Sequence, residues 1–287
     1  MPAMLNWVFR LLPTNPICLR LIQGGSRRIR HLYLRSGYLA IMIVVMLFVL
    51  LGEIGGSSMS MRSFAAGGAQ LFTVVSLLQV GLICLLTPIF MAGAIAQEAS
   101  PRTWDILLTT PLNSMQIVLG NLFGRLFFIL ALLLASLPLF AVTQYFGGVP
   151  GDSIFLSYAI AGCSALLVAA IAVTLSVTRT AGKRAVFIFY FCVIIYLFLT
   201  YVADVQIREP VRAGSVTDLS TILTPLNPFL ALEVLLYSNS YIAHPATDTS
   251  SWISNLWLTH PIATFCWLCL ILSAIMVIYS TLRVRAI

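Results

Sequence analysis

Apolar residues in this chain gather into long unbroken runs instead of alternating with polar ones. Six runs stand out, at about residues 37–51, 71–96, 117–142, 154–178, 185–203 and 260–282. A helix rises about 1.5 Å per residue, so crossing about 30 Å of hydrocarbon takes about 20 residues. The pattern predicts an all-α membrane protein with six transmembrane helices in a single transmembrane domain, 1–287. The first run is short and needs Leu32 and Leu34 to complete it. The second and third exceed the minimum, which predicts tilting or kinking, with Pro88 and Pro138 as the kink sites.

The connections differ from one another. Residues 1–36 form a cytoplasmic segment in which Leu19, Ile22, Ile29, Leu32 and Leu34 are interleaved with arginines, the pattern of a basic amphipathic helix lying along a membrane surface. Residues 97–116 make a short polar link. Residues 204–259 make a long connection holding its own apolar stretch, 222–237. That stretch is broken by Pro225 and Pro228 and is too short to cross, so it reads as a re-entrant or interfacial hairpin, or as a small ordered surface cap.

Composition sharpens this picture. The chain is 60% hydrophobic and only 9% charged, whereas a soluble domain carries about 25% charged residues; most of its exterior must therefore face lipid. Its net charge of +7 is explained by orientation, not by a nucleic-acid partner. With six crossings, one side receives Arg10, Arg20, Arg27, Arg28, Arg30, Arg35, Arg102, Arg125, Arg179, Lys183, Arg184, Arg283 and Arg285, and the other only Arg62, Arg208 and Arg212. Positively charged loops stay in the cytoplasm. Both termini are expected there, in a multi-pass protein of the cytoplasmic (inner) membrane of a prokaryote. Residues 1–36 lack an apolar core followed by a small-residue cleavage site, so insertion is expected to be driven by the first span.

Several chemistries find no residues to carry them. Five of the six cysteines fall inside apolar runs, and Cys266-x-x-Cys269 has no second pair or nearby histidine to complete a metal site. The span cores hold almost no ionisable side chains, unlike ion-coupled carriers and proton pumps. Gly182-Lys183 is followed by Arg184 and lacks the surrounding residues of a nucleotide-phosphate loop. No nucleophile, base and orienting group stand at a useful spacing. The expectation is a protein that is not an enzyme, holds no cofactor, and draws any energy from another subunit.

The one distinctive polar segment is Glu98-Ala-Ser-Pro-Arg-Thr-Trp-Asp-Ile-Leu-Leu-Thr-Thr-Pro-Leu112, followed by Gln116-Ile-Val-Leu-Gly120. Within it Trp104, Leu107, Leu108 and Pro111 fall at i, i+3, i+4 and i+7, one apolar stripe on a short helix. Such a helix can dock in a groove of a soluble partner or lie at the headgroups. This segment resembles the first cytoplasmic loop of the ABC type-2 transporter permeases, through Glu98, Thr103, Asp105, Leu107, Leu108, Thr110, Pro111, Leu112 and Gly120. The likeness extends more loosely to Asn15-Pro16-Ile17, Leu137-Pro138, Phe146-Gly147-Gly148 and Leu226-Asn227-Pro228-Phe229. The chain departs from the family's usual residues at Ala99, Arg102 and Asn121, and Pro101 sits inside the loop.

The resemblance implies the permease subunit of an exporter, with ATP bound by a separate ATPase subunit and with a second permease copy or homologue beside it. It implies a coupling helix that touches the ATPase through Glu98, Arg102, Thr103, Trp104, Asp105, Leu107 and Leu108, and an elbow helix leading into span one. Gly120 and Gly124 form a GxxxG at the start of span three, a candidate contact for a second copy. The departures keep open a different class, a non-transporting accessory subunit that binds lipids or neighbouring helices.

Overall fold

A computed structural model describes residues 15–26, 29–54, 61–98, 113–146, 148–177, 183–208, 218–238, 240–245 and 252–284. The first two helices among the described residues are α1 (Pro16–Ser26) and α2 (Ile29–Ile54). Then come α3 (Met61–Glu98), α4 (Ser114–Tyr145), α5 (Gly151–Val177) and α6 (Lys183–Ile207). A compact segment follows, called the cap below. It contains β1 (Asp218–Leu219), a 3-10 turn (Thr224–Leu226), α7 (Pro228–Leu236) and β2 (Tyr241–Ile242). Helices α8 (Trp252–Thr259) and α9 (Pro261–Val284) close the chain.

Among the described residues six helices are long and apolar enough to cross a membrane, as the hydropathy pattern predicts: residues His31–Gly52, Ala65–Met91, Ser114–Tyr145, Gly151–Ser176, Phe187–Ile207 and Pro261–Arg283. The short first run is completed by Leu32 and Leu34, which lie within α2. The sequence pattern treats residues 18–35 as one amphipathic element. The structure divides them: α1 stops at Ser26, and residues from Ile29 onward already belong to the span-one helix.

The elements begin and end for local reasons. At the start of α4 the Gln116 side chain accepts from the Asn113 backbone N–H at 3.1 Å, half of a capping box. The chain leaves α4 through Gly148, whose φ of 81° is the left-handed conformation open to glycine. A Cβ there would stand 2.5 Å from the Ala65 carbonyl oxygen, so only glycine lets the α4–α5 turn lie on the start of α3.

Burial separates a centre from a periphery. In span two 56% of the core positions are buried, against 17% in span one and 11% in span five. Helix α5 packs most extensively on α3 and α9, and it does so through small residues. Ala161, Ala165, Ala169 and Ala172 are all fully buried, and their size lets neighbouring backbones approach closely. Some hydroxyls inside the bundle turn back on their own helices: Thr87 donates to the Ile83 carbonyl at 2.6 Å and Ser164 to that of Ile160 at 2.7 Å. That arrangement satisfies them without water. Two more reach across, with Ser280 donating to Thr174 at 2.9 Å and Thr174 near the Met276 carbonyl at 3.3 Å, tying α5 to α9.

Candidate functional site

The cap is joined to the end of α6 by a buried ionic cluster. Asp204 and Arg208 stand one turn apart there. The Arg208 Nε donates to the Asp204 carboxylate at 2.8 Å, and its Nη2 donates to Glu233 of α7 at 2.6 Å. Glu233 also accepts from the Tyr201 hydroxyl at 2.7 Å. Asp204, which is completely buried, accepts from the Thr221 hydroxyl. The Tyr241 ring lies under the guanidinium, with Cζ 4.3 Å from its centroid, a cation–π contact. Thr224 and Tyr241 share a hydroxyl contact of 2.7 Å.

Burial alone would lower the Arg208 pKa. Its hydrogen bonds to Asp204 and Glu233, and their charges, outweigh that and hold the guanidinium above its ordinary value. It is a permanent cation with two anionic partners, each reached through a different nitrogen of its planar guanidinium.

A second set of bonds stitches the cap to the middle of α6. The Asn227 side chain caps α7 by accepting from the Phe229 N–H at 2.9 Å, and donates to the Leu197 carbonyl at 2.9 Å and the Thr200 hydroxyl at 2.7 Å. The Tyr196 hydroxyl donates to the Leu226 carbonyl at 2.7 Å. From the other side, Trp257 Nε1 donates to the Ile222 carbonyl at 2.9 Å, holding α8 on the cap. The Asn227-Pro228 pair thus starts α7 and anchors it at once, Pro228 sitting where no helical N–H is required.

Beside the cluster is a cavity of about 490 Å³ bounded by α3, α6 and α7. Its walls are aliphatic and aromatic, and Glu233, Tyr201 and Tyr237 stand at its cap end. The volume falls in the range of small-molecule sites, which join an apolar lining to a few converging polar groups.

At the opposite end of the bundle α1 lies against α4. Asn15, fully buried, donates to the Gln116 carbonyl at 2.7 Å and caps α1 by accepting from the Ile17 N–H at 3.1 Å. Gly120 and Gly124 are both buried beneath this helix: a Cβ at Gly120 would meet Asn15, and one at Gly124 would meet Leu21. The close approach that the GxxxG allows is used within the chain, by α1. Burial there pushes the Cys18 thiol up.

Of the residues expected to touch an ATPase, Arg102, Thr103, Trp104, Asp105, Leu107 and Leu108 lie outside the described residues, and Glu98 is the last residue of α3. Residues 99–112 join α3 to α4, two long helices that pack on each other. Among the described residues no group of three or more His, Cys, Asp or Glu could hold a metal ion.

The cap cluster escapes sequence reasoning, which counts Arg208 only among the few basic residues of the far side. Two signals point to it: the i, i+4 spacing of Asp204 and Arg208 at the end of an apolar helix, and a single acid, Glu233, in an otherwise apolar short helix. No protein-family model matches the chain, and no curated protein matches it.

Proposed function

We propose that this chain is the membrane-spanning permease subunit of an ABC-type exporter, powered by a separate ATP-binding subunit. The observation that carries the reading is the Glu98–Gly120 segment, whose distinctive residues join two long, mutually packed helices. A docking helix placed there could pass a push from a soluble partner straight into α3 and α4. Two further observations support transport driven from outside the chain. The carboxylates within the described spans, Asp152 and Asp204, lie at span ends, and Asp204 is held by Arg208 and Thr221. Mid-span acids of the kind that relay protons or bind coupling ions therefore do not appear in the described spans.

In this reading both termini and the 99–112 segment face the cytoplasm, the cap faces outward, and two permease copies or homologues assemble with two ATPases in a prokaryotic inner membrane. A second reading, an accessory subunit without transport, draws on the departures at Ala99, Arg102 and Asn121. ATPase stimulation by substrate or lipid that requires this chain would dispose of it.

The test is recovery of the ATPase with Leu108→Asp. An aspartate on the apolar stripe would bury an unpaired carboxylate at the contact, costing several kcal/mol unless it protonates or withdraws. Association is expected to be lost while membrane insertion is kept; Thr109→Lys, on the opposite face, should be far milder. Equal ATPase recovery from Leu108→Asp and wild type would overturn the reading.

A further inference from the structure

We propose that the cavity between α3, α6 and α7 binds an amphipath with an ammonium head, its apolar body between the helices and its head against Glu233. Three features point to this class of ligand. The first is shape: Leu77 and Leu85 on one wall and Val193, Leu197 and Phe198 on the other present an apolar slot of about 490 Å³. The second is the placing of the polar groups, which come only at the cap end, so the ligand needs one polar end.

The third is charge. Among the described residues, the two carboxylates of Asp204 and Glu233 share one guanidinium in the cluster, that of Arg208. Formally one negative charge is left over. Arg208 is 18% exposed, Glu233 12% and Asp204 not at all, so solvent screens the excess poorly. A carboxylate offers about four acceptor sites, and two described bonds to Glu233 come from Arg208 and Tyr201. An ammonium supplies three donors and the missing charge together. A carboxylate or phosphate head would instead add a second negative charge beside the first.

Gly81 lines the slot. A Cβ there would stand 3.8 Å from Phe229 Cζ, an ordinary contact. Gly81→Ala therefore fits, whereas Gly81→Leu would grow into the cavity without touching the ionic cluster. As exported cargo the amphipath rests on the transport reading above; as a bound ligand it does not, and the experiment addresses binding by the full chain alone.

The protein, purified without an ATPase into phosphatidylcholine nanodiscs, is exposed to a diazirine-bearing alkylammonium and to the alkanoate of equal chain length. Crosslinked peptides are then read by mass spectrometry. The ammonium probe is expected to label residues 77–85 and 193–198 at least about tenfold more than the alkanoate, the ratio of about 1.4 kcal/mol of selectivity. Gly81→Leu should abolish that labelling and Gly81→Ala should keep it, with thermal unfolding unchanged in both. Phosphatidylethanolamine in the disc separates two sources: suppression of labelling assigns the occupant to a membrane lipid, and persistence to a free amphipath. Either upholds the ammonium head. Equal labelling by both probes, or undiminished labelling of a folded Gly81→Leu, would overturn the proposal.

Discussion

Asn15 and Gly120 are fitted to each other at the junction of α1 and α4. A Cβ at Gly120 would stand 2.8 Å from Asn15 Oδ1 and 2.9 Å from Nδ2, while that amide donates to the Gln116 carbonyl at 2.7 Å. Gly120→Leu should therefore expel the Asn15 side chain and undock α1, with a loss of about 1–3 kcal/mol for the orphaned buried groups. Hydrogen exchange across Pro16–Ser26 is the readout, and it should rise sharply. Gly37→Leu is the control, because nothing lies within 4 Å of a Cβ at Gly37.

Removing Arg208 should cost more than removing either carboxylate it holds. Arg208→Met leaves two buried carboxylates facing each other, and breaking a buried ion pair in this way costs about 3–5 kcal/mol. Arg208→Lys should recover only part of the loss, since an ammonium lacks the rigid planar fork whose Nε and Nη2 reach Asp204 and Glu233. Denaturation in micelles measures both. An Arg208→Met variant within about 0.5 kcal/mol of wild type, the range of ordinary surface changes, would show that the cluster does not hold the cap.

The cap should weaken in alkali. Burial, and after it the charge of Asp204, pushes the Tyr241 phenol above its ordinary value of 10.0. The folded chain then keeps a proton that the unfolded chain gives up, so stability is whole below pH 10 and falls as pH rises above it. Thermal unfolding between pH 8 and pH 11 should show the decline, and Tyr241→Phe should flatten it. A slope unchanged in Tyr241→Phe would assign the titration to another group.

Within the bundle, Ser136 is the hub of a small polar network. It donates to the Leu133 carbonyl at 2.7 Å, lies 2.9 Å from the Tyr158 hydroxyl, and accepts from Gln79 at 3.4 Å. Ser136→Ala should cost about 1–3 kcal/mol by stranding buried partners. Tyr158→Phe should then be less costly in the Ser136→Ala background than alone, a coupling that a double-mutant cycle measures directly.

The spans were legible because hydropathy over about 20 residues is a local property, and Leu32 and Leu34 extend the first run as their composition requires. The cap was legible only as an apolar stretch too short to cross. Its cluster was not, because pairing Arg208 with Glu233 depends on how α7 folds back on α6, and no spacing along the chain records that. Gly120 and Gly124 show the same limit from the other side. Their spacing announces a close approach, but whether the approaching helix belongs to the same chain is decided by the position of Asn15, 101 residues away from its partner Gln116. The segment whose sequence is most distinctive, residues 99–112, lies outside the described residues.

The attachment of α6 has a mechanical consequence. Among the described residues, every side-chain hydrogen bond from this helix to another element goes to the cap, and all lie from Tyr196 onward. The stretch from Lys183 to Ile195 is about 20 Å of helix, and its described side chains, from Phe187 onward, make no hydrogen bond to another element. A rod pinned at one end answers a sideways force by swinging about the pin. A swing of roughly 10° would carry its Lys183 end roughly 3.5 Å while scarcely disturbing Glu233, on the helix dimensions used here. The gap beside α3 would then behave as a hinged jaw, fixed in width near Glu233 and adjustable toward the Lys183 end.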